Sequence, residues 1–188
     1  MEVIKKSQKV LDKMVEVLNN GGVVVCPTDT VYGFLADAEN KKAVEKIFKI
    51  KKRPRSKPLP IFIRDLKMAE ELAEIDDNKK KTFKKYWPGK YTFILKKTGI
   101  KLYGVEKNTI ALRIPKYKFL NDLLKKINKP LVQTSVNISG QPTLTKISDT
   151  IKQFNKSDIL LIDAGNLPKS KPSKIIDLTK NKIKTLRI

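Results

Sequence analysis

Apolar residues recur along this chain with two different periods, and the alternation between them outlines its elements. Leu11, Met14, Val15 and Leu18 fall three and four apart, the spacing that lines one face of a helix. Ser7 can cap that helix and Gly21 can end it. Asn40 can cap a second helix with Ala43, Val44, Ile47 and Phe48 on one side, and Pro54 and Pro58 stop it. Helical patterns at 65–75, 76–87, 119–127 and from Ser148 follow the same period. Between them lie short apolar runs that predict strands at 23–25, 59–63, 91–95, 109–114, 131–134, 159–162, 175–178 and 183–186. No repeat, low-complexity block or linker interrupts the series. Strands mixed with helices predict an α/β fold: one domain over 1–188, a twisted open mixed sheet flanked by helices.

The other segments are arranged around residues 21–35, GGVVVCPTDTVYGFL. Three consecutive valines favour a strand buried on both faces. Pro27 cannot donate to a sheet ladder, so the strand should end there. Thr28, Asp29 and Thr30 then put three short polar side chains beyond a strand's carboxyl end, where open α/β sheets bind ligands. The same triplet is equally a helix N-cap, and the residues alone leave both readings open.

Composition narrows the chemistry. With 188 residues, 40% of them hydrophobic, the chain can bury a sizeable core. No apolar run reaches membrane-spanning length, and no signal-peptide core follows Lys5 and Lys6, so a cytoplasmic protein without a membrane partner is expected. The single cysteine, Cys26, reads as a small buried hydrophobe rather than a nucleophile. Histidine is absent. That removes the usual general base, the Ser-His-Asp triad and every His-containing metal site, and one cysteine removes thiolate zinc sites. An enzyme built from this chain must work mainly by positioning and charge, with room for a carboxylate-held Mg²⁺.

Charge points to the partner. There are 41 Lys+Arg against 19 Asp+Glu, a net +22, which favours polyanions such as nucleotides or nucleic acid. Residues 41–57 concentrate nine basic side chains against one acid, Glu45. Within them Arg53 sits beside Pro54 in a stiff turn, which suits a fixed cation. Thr134, Ser135 and Asn137 follow a predicted strand and precede Gly140; such groups can bind phosphate or sugar oxygens or simply form a turn. Arg113 lies in the apolar run TIALRIP and needs a carboxylate, internal or from a ligand. Neither GxxxxGK[ST] nor GxGxxG occurs.

Taken in order, PTDTVYG (27–33), KKRP and KPL within 51–59, RIP (113–115), TSVNISG (134–140), PSKIIDL (172–178) and LR (186–187) resemble the YrdC-like threonylcarbamoyl-AMP synthases over nearly the whole chain. The resemblance implies a twisted open α/β sheet with a deep basic cavity. It implies a reaction in which L-threonine, bicarbonate or CO₂, and ATP give threonylcarbamoyl-adenylate and pyrophosphate. A downstream transferase complex then passes the threonylcarbamoyl group to the adenosine beside the anticodon of certain tRNAs. By matching position, Thr30 is implied against the threonine with Tyr32 nearby, Arg113 on its carboxylate, and Gln133 and Ser173 in the same pocket. Lys51, Arg53, Lys57, Thr109, Ser135, Asn137, Thr143 and Arg187 match the nucleotide side, with Lys51 and Arg53 stabilising charge and Mg²⁺ accompanying ATP. Val136 replaces the family's usual Ala, implying a slightly crowded nucleotide pocket, and Lys174 stands where a hydroxyl is commoner. Two other readings stay open: a module binding tRNA or double-stranded RNA without chemistry, and a paralogue using another carbamoyl acceptor.

Overall fold

The structure, a computed structural model, describes residues 1–180 and 184–187. The strands are β1 (Glu2–Lys5), β2 (Val24–Pro27), β3 (Tyr32–Asp37), β4 (Ile61–Phe62), β5 (Tyr91–Lys96), β6 (Thr109–Arg113), β7 (Leu131–Ser135), β8 (Leu160–Asp163), β9 (Lys174–Asp177) and β10 (Lys184–Arg187). The helices are α1 (Leu11–Asn19), α2 (Lys41–Lys51), α3 (Leu66–Leu72), α4 (Asp77–Tyr86), α5 (Lys118–Ile127) and α6 (Ile147–Phe154). All ten strands join one sheet, ordered β1-β8-β2-β3-β7-β4-β6-β5-β9-β10. Its ladders mix parallel pairs, such as β1 with β8 and β4 with β6, with antiparallel pairs such as β2 with β3.

Side chains alternate across each strand, so a sheet covered on both faces needs apolar residues at successive positions. The valine run does this. Val24 and Cys26 face a core shared with Leu11, Met14 and Leu18 of α1 and Leu120 and Leu124 of α5. Val23 and Val25 face the opposite core, which holds Ile47 of α2, Phe83 of α4 and Phe154 of α6. Burial drives the Cys26 thiol pKa far up, so the residue is a packing group, as its apolar setting predicts.

Three helices begin where a short acidic or amide side chain predicts. Asn40, Asp65 and Asp76 accept from the amides of Ala43, Met68 and Lys79. Ser7 instead precedes a 3₁₀ turn, Gln8–Val10, and makes no side-chain cap bond. The N-cap reading of Thr28–Asp29–Thr30 is overturned: the triplet is the bend of a hairpin leading into β3. That strand escapes pattern reading because all six of its residues are buried, leaving no polar alternation. β1 escapes for the opposite reason, being a mostly exposed edge strand. The predicted strand 59–63 shrinks to Ile61–Phe62, since Pro58 and Pro60 supply no amide to a ladder. Residue 183, the predicted start of the last strand, lies outside the described residues. Among those described, no helix is long and apolar enough to cross a membrane.

Candidate functional site

The β2–β3 bend is built by one hydroxyl. Thr28 Oγ1 accepts from the amides of Thr30 and Val31 and donates to the Val31 carbonyl, closing a tight polar turn. Thr30 Oγ1 lies 3.0 Å from Thr28 Oγ1, so its position is set by that turn. Gly33 follows in a tight spot: an added Cβ would lie 3.3 Å from both Thr28 Cγ2 and Gln133 Nε2, so either side chain would have to give by a few tenths of an ångström. Thr30, Val31 and Gln133 form part of the wall of a cavity of about 720 Å³, a size suited to a small-molecule ligand.

Arg113 forms another part of that wall, and its counter-charge is internal. One terminal nitrogen lies 2.7 Å from each carboxylate oxygen of Asp29, and Nε donates to the Gly89 carbonyl. Both side chains are almost fully buried, at 3% and 6% exposure. Of the two sources the sequence left open for that carboxylate, internal or from a ligand, the structure supplies the internal one: Asp29, the middle residue of the TDT triplet. What Arg113 can still offer a ligand is a guanidinium of fixed orientation. Beside it, Thr92 and Ser173 hydroxyls stand 2.9 Å apart, joining β5 to the start of β9.

On the far side Lys51 ends α2 almost wholly buried and without a carboxylate. Its Nζ donates to the carbonyls of Ser135 and Asn137 and to Asn137 Oδ1. Burial, then the nearby Arg53, lowers its pKa to about 8. Asn137 Oδ1 also accepts from the Ser135 hydroxyl, and its Nδ2 donates to the carbonyls of Ile138 and Gln141. This knot shapes the loop that follows β7 and brings Ser135 and Thr143 to the cavity. Arg53 is clasped by its own turn, donating to the carbonyls of Lys57 and Pro58, and burial pulls its pKa down.

An irregular strap, residues 164–173, forms the remaining wall. Tyr32 pins its start: the phenol accepts from the Ala164 amide and donates to the Gly165 carbonyl. Gly165 takes φ +74°, a conformation that favours glycine. The Leu167 amide donates to Thr145, and Lys90 Nζ donates to Ser170 Oγ.

The structure thus brings Thr30, Gln133, Arg113 and Ser173 together with Arg53, Thr109, Ser135 and Thr143 around one space. Four expected positions do not line it. Tyr32 is spent on the strap, Lys51 and Asn137 on the knot, and Lys57 is exposed, with its backbone amide and carbonyl engaged in the turn. The side chain of Arg187 lies outside the described residues. Val136 points into the core instead of crowding the cavity, and Lys174 is exposed. Sequence reading missed Asp29 as a partner, and missed Thr92, Glu106 and Lys169 on the wall. Only Asp29 had a signal, the buried arginine's demand for a carboxylate.

A profile of the Sua5/YciO/YrdC family, described as "Telomere recombination", matches residues 16–188. The chain belongs to the Sua5/YciO/YrdC family. Within it, a Methanocaldococcus jannaschii protein provisionally named a threonylcarbamoyl-AMP synthase is 39% identical over 97% of this chain and 87% of its own. Pyrococcus abyssi Sua5, solved in complex with L-threonine, superposes with a TM-score of 0.87 at 30% identity. That likeness covers 99% of this chain but only 56% of the Pyrococcus protein, so the chain spans little more than half of that relative. Escherichia coli YciO gives a TM-score of 0.87 at 29% identity, covering 99% of this chain and 92% of YciO. The fold is therefore shared with these relatives over nearly the whole chain.

Proposed function

We propose that this chain is an L-threonylcarbamoyladenylate synthase acting in tRNA modification. The single observation that carries this reading is that one cavity unites amino-acid-side groups, Thr30, Arg113 and Ser173, with nucleotide-side groups, Arg53, Ser135 and Thr143. On this reading the neutral amine of threonine attacks the carbon of CO₂ or bicarbonate, giving a carbamate with loss of a proton or of water. A carbamate oxygen then attacks the α-phosphorus of ATP. The bond from that phosphorus to the bridging oxygen breaks, and pyrophosphate leaves.

No histidine is needed for this sequence. The amine is intrinsically nucleophilic, and the remaining barrier is alignment of two anions, which fixed cations and hydroxyls lower. Arg113, held by Asp29 and Gly89, suits a planar carboxylate. Arg53, locked by two carbonyls, suits a phosphate at a set distance. Among the described residues no cluster of three acidic or cysteine side chains could hold a metal, and Glu106 is the one carboxylate on the cavity wall. A Mg²⁺ ion would arrive held by the phosphates of ATP, with at most one anionic ligand from the protein, and would supply charge neutralisation there. The site of action is the cytoplasm, and the product passes to a threonylcarbamoyl-transferase complex.

Mass spectrometry after incubation with Mg²⁺, ATP, bicarbonate and threonine tests the reading. Threonylcarbamoyl-adenylate and pyrophosphate are expected only when threonine and bicarbonate are both present. Pyrophosphate release that ignores threonine overturns it.

A further inference from the structure

Three basic side chains line the cavity: Arg53, Arg113 and Lys169. Two have work inside the protein. Arg113 is neutralised by Asp29, and Arg53 gives Nε and one terminal nitrogen to backbone carbonyls. Lys169 differs. Among the described residues its ammonium enters no ion pair and no hydrogen bond.

The segment that carries it is held in place. Residues 164–174, AGNLPKSKPSK, contain three lysines and no acid. Pro168 and Pro172 bracket Lys169–Ser170–Lys171 and restrict the backbone there. Tyr32 and Thr145 hold the segment before this bracket, and Lys90 grips Ser170 within it. Beyond it, the Ser173 hydroxyl meets Thr92, and the Lys174 amide donates to Lys90. Both lysines of the bracket are exposed, but Lys169, Ser170, Pro172 and Ser173 border the cavity while Lys171 does not, so the strap sets one lysine at the cavity rim and its neighbour away from it.

We propose that Lys169 is a phosphate-binding residue, the strap's own cationic contact for the triphosphate of the nucleotide and for the pyrophosphate that leaves. A cation held over a cavity without an internal counter-ion gains most from an anionic ligand, because it gives up no protein partner to bind it. The proposal rests on the nucleotide-binding reading of this cavity. It adds a residue from the strap where sequence matching had named Lys51 and Lys57, neither of which lines the wall.

Isothermal titration of the whole chain with inorganic pyrophosphate, and separately with MgATP, tests it. Lys169→Ala and Lys169→Gln should weaken both roughly tenfold, the scale of one charge-assisted contact, and Lys169→Arg should retain most of the affinity. Lys171→Ala, two residues away and exposed, should bind as the parent does. Lys169 is exposed, so all variants should melt like the parent. Equal losses in Lys169→Ala and Lys171→Ala would reduce the effect to bulk charge and overturn the proposal, as would parent-like pyrophosphate binding by Lys169→Ala. Failure of the broader reading has a different signature: the parent chain would make no threonine-dependent adenylate, whatever the pyrophosphate titration gives.

Discussion

Arg113, on the cavity wall, forms a buried ion pair with Asp29, and experiment can separate a structural role for the pair from a binding one. The two are 84 residues apart in sequence and nearly out of contact with solvent. Removing one charge strands the other in a poor dielectric, so Asp29→Asn should cost about 3–5 kcal/mol by urea unfolding. A double variant, Asp29→Asn with Arg113→Gln, should regain much of that loss because no uncompensated charge remains. It should still fail to respond to threonine in thermal melts if the guanidinium meets the amino acid. Full recovery of the threonine response in the double variant would make the arginine purely structural. The need for a carboxylate near Arg113 was legible from TIALRIP alone. Its identity was not, because the same aspartate satisfies local capping rules and nothing local distinguishes an 84-residue contact from a turn.

At the level of elements, the basic run from α2 through the turn at 52–58 divides into two populations. Lys42 is exposed on α2, whereas Arg53 reaches the cavity and is braced by Lys57 and Pro58 carbonyls. Arg53→Ala should therefore weaken ATP binding by about 2 kcal/mol, while Lys42→Ala should change it little. Calorimetric titration reads both, and equal effects would mean that the run works as diffuse charge. The helices themselves were legible where a cap residue preceded a 3.6-residue apolar stripe, as at Asn40, Asp65 and Asp76. The strands were less so. β3 is buried throughout and β1 is an exposed edge, and neither shows the alternation by which a half-buried strand declares itself. The knot of Lys51, Ser135 and Asn137 illustrates the limit for the site: matching motifs located these residues, but only the packing shows that Lys51 and Asn137 bond to each other behind the cavity while Ser135 lines it.

For the whole molecule, a net charge of +22 makes some attraction to nucleic acid unavoidable, so that attraction alone says little about function. The two can be told apart by salt. Affinity for a double-stranded RNA probe should fall steeply between about 50 and 200 mM salt, as counterion release requires, while threonine-dependent adenylate formation should fall far less. Parallel collapse of both would favour an RNA module over an enzyme whose site is built from short, fixed contacts. The order of strands in the sheet also governs how the protein is made. β8, residues 160–163, lies between β1 and β2, and β4 lies between β7 and β6. A ribosome delivering the chain from its N-terminal side therefore presents β1 long before β8, its neighbour among the described residues, exists, and β2 with one side unfilled. The strap and Ser173 emerge later still. The cavity cannot close on a nascent chain before the strap has been made, and until then the unpaired edges of β1 and β2 are what a chaperone would meet.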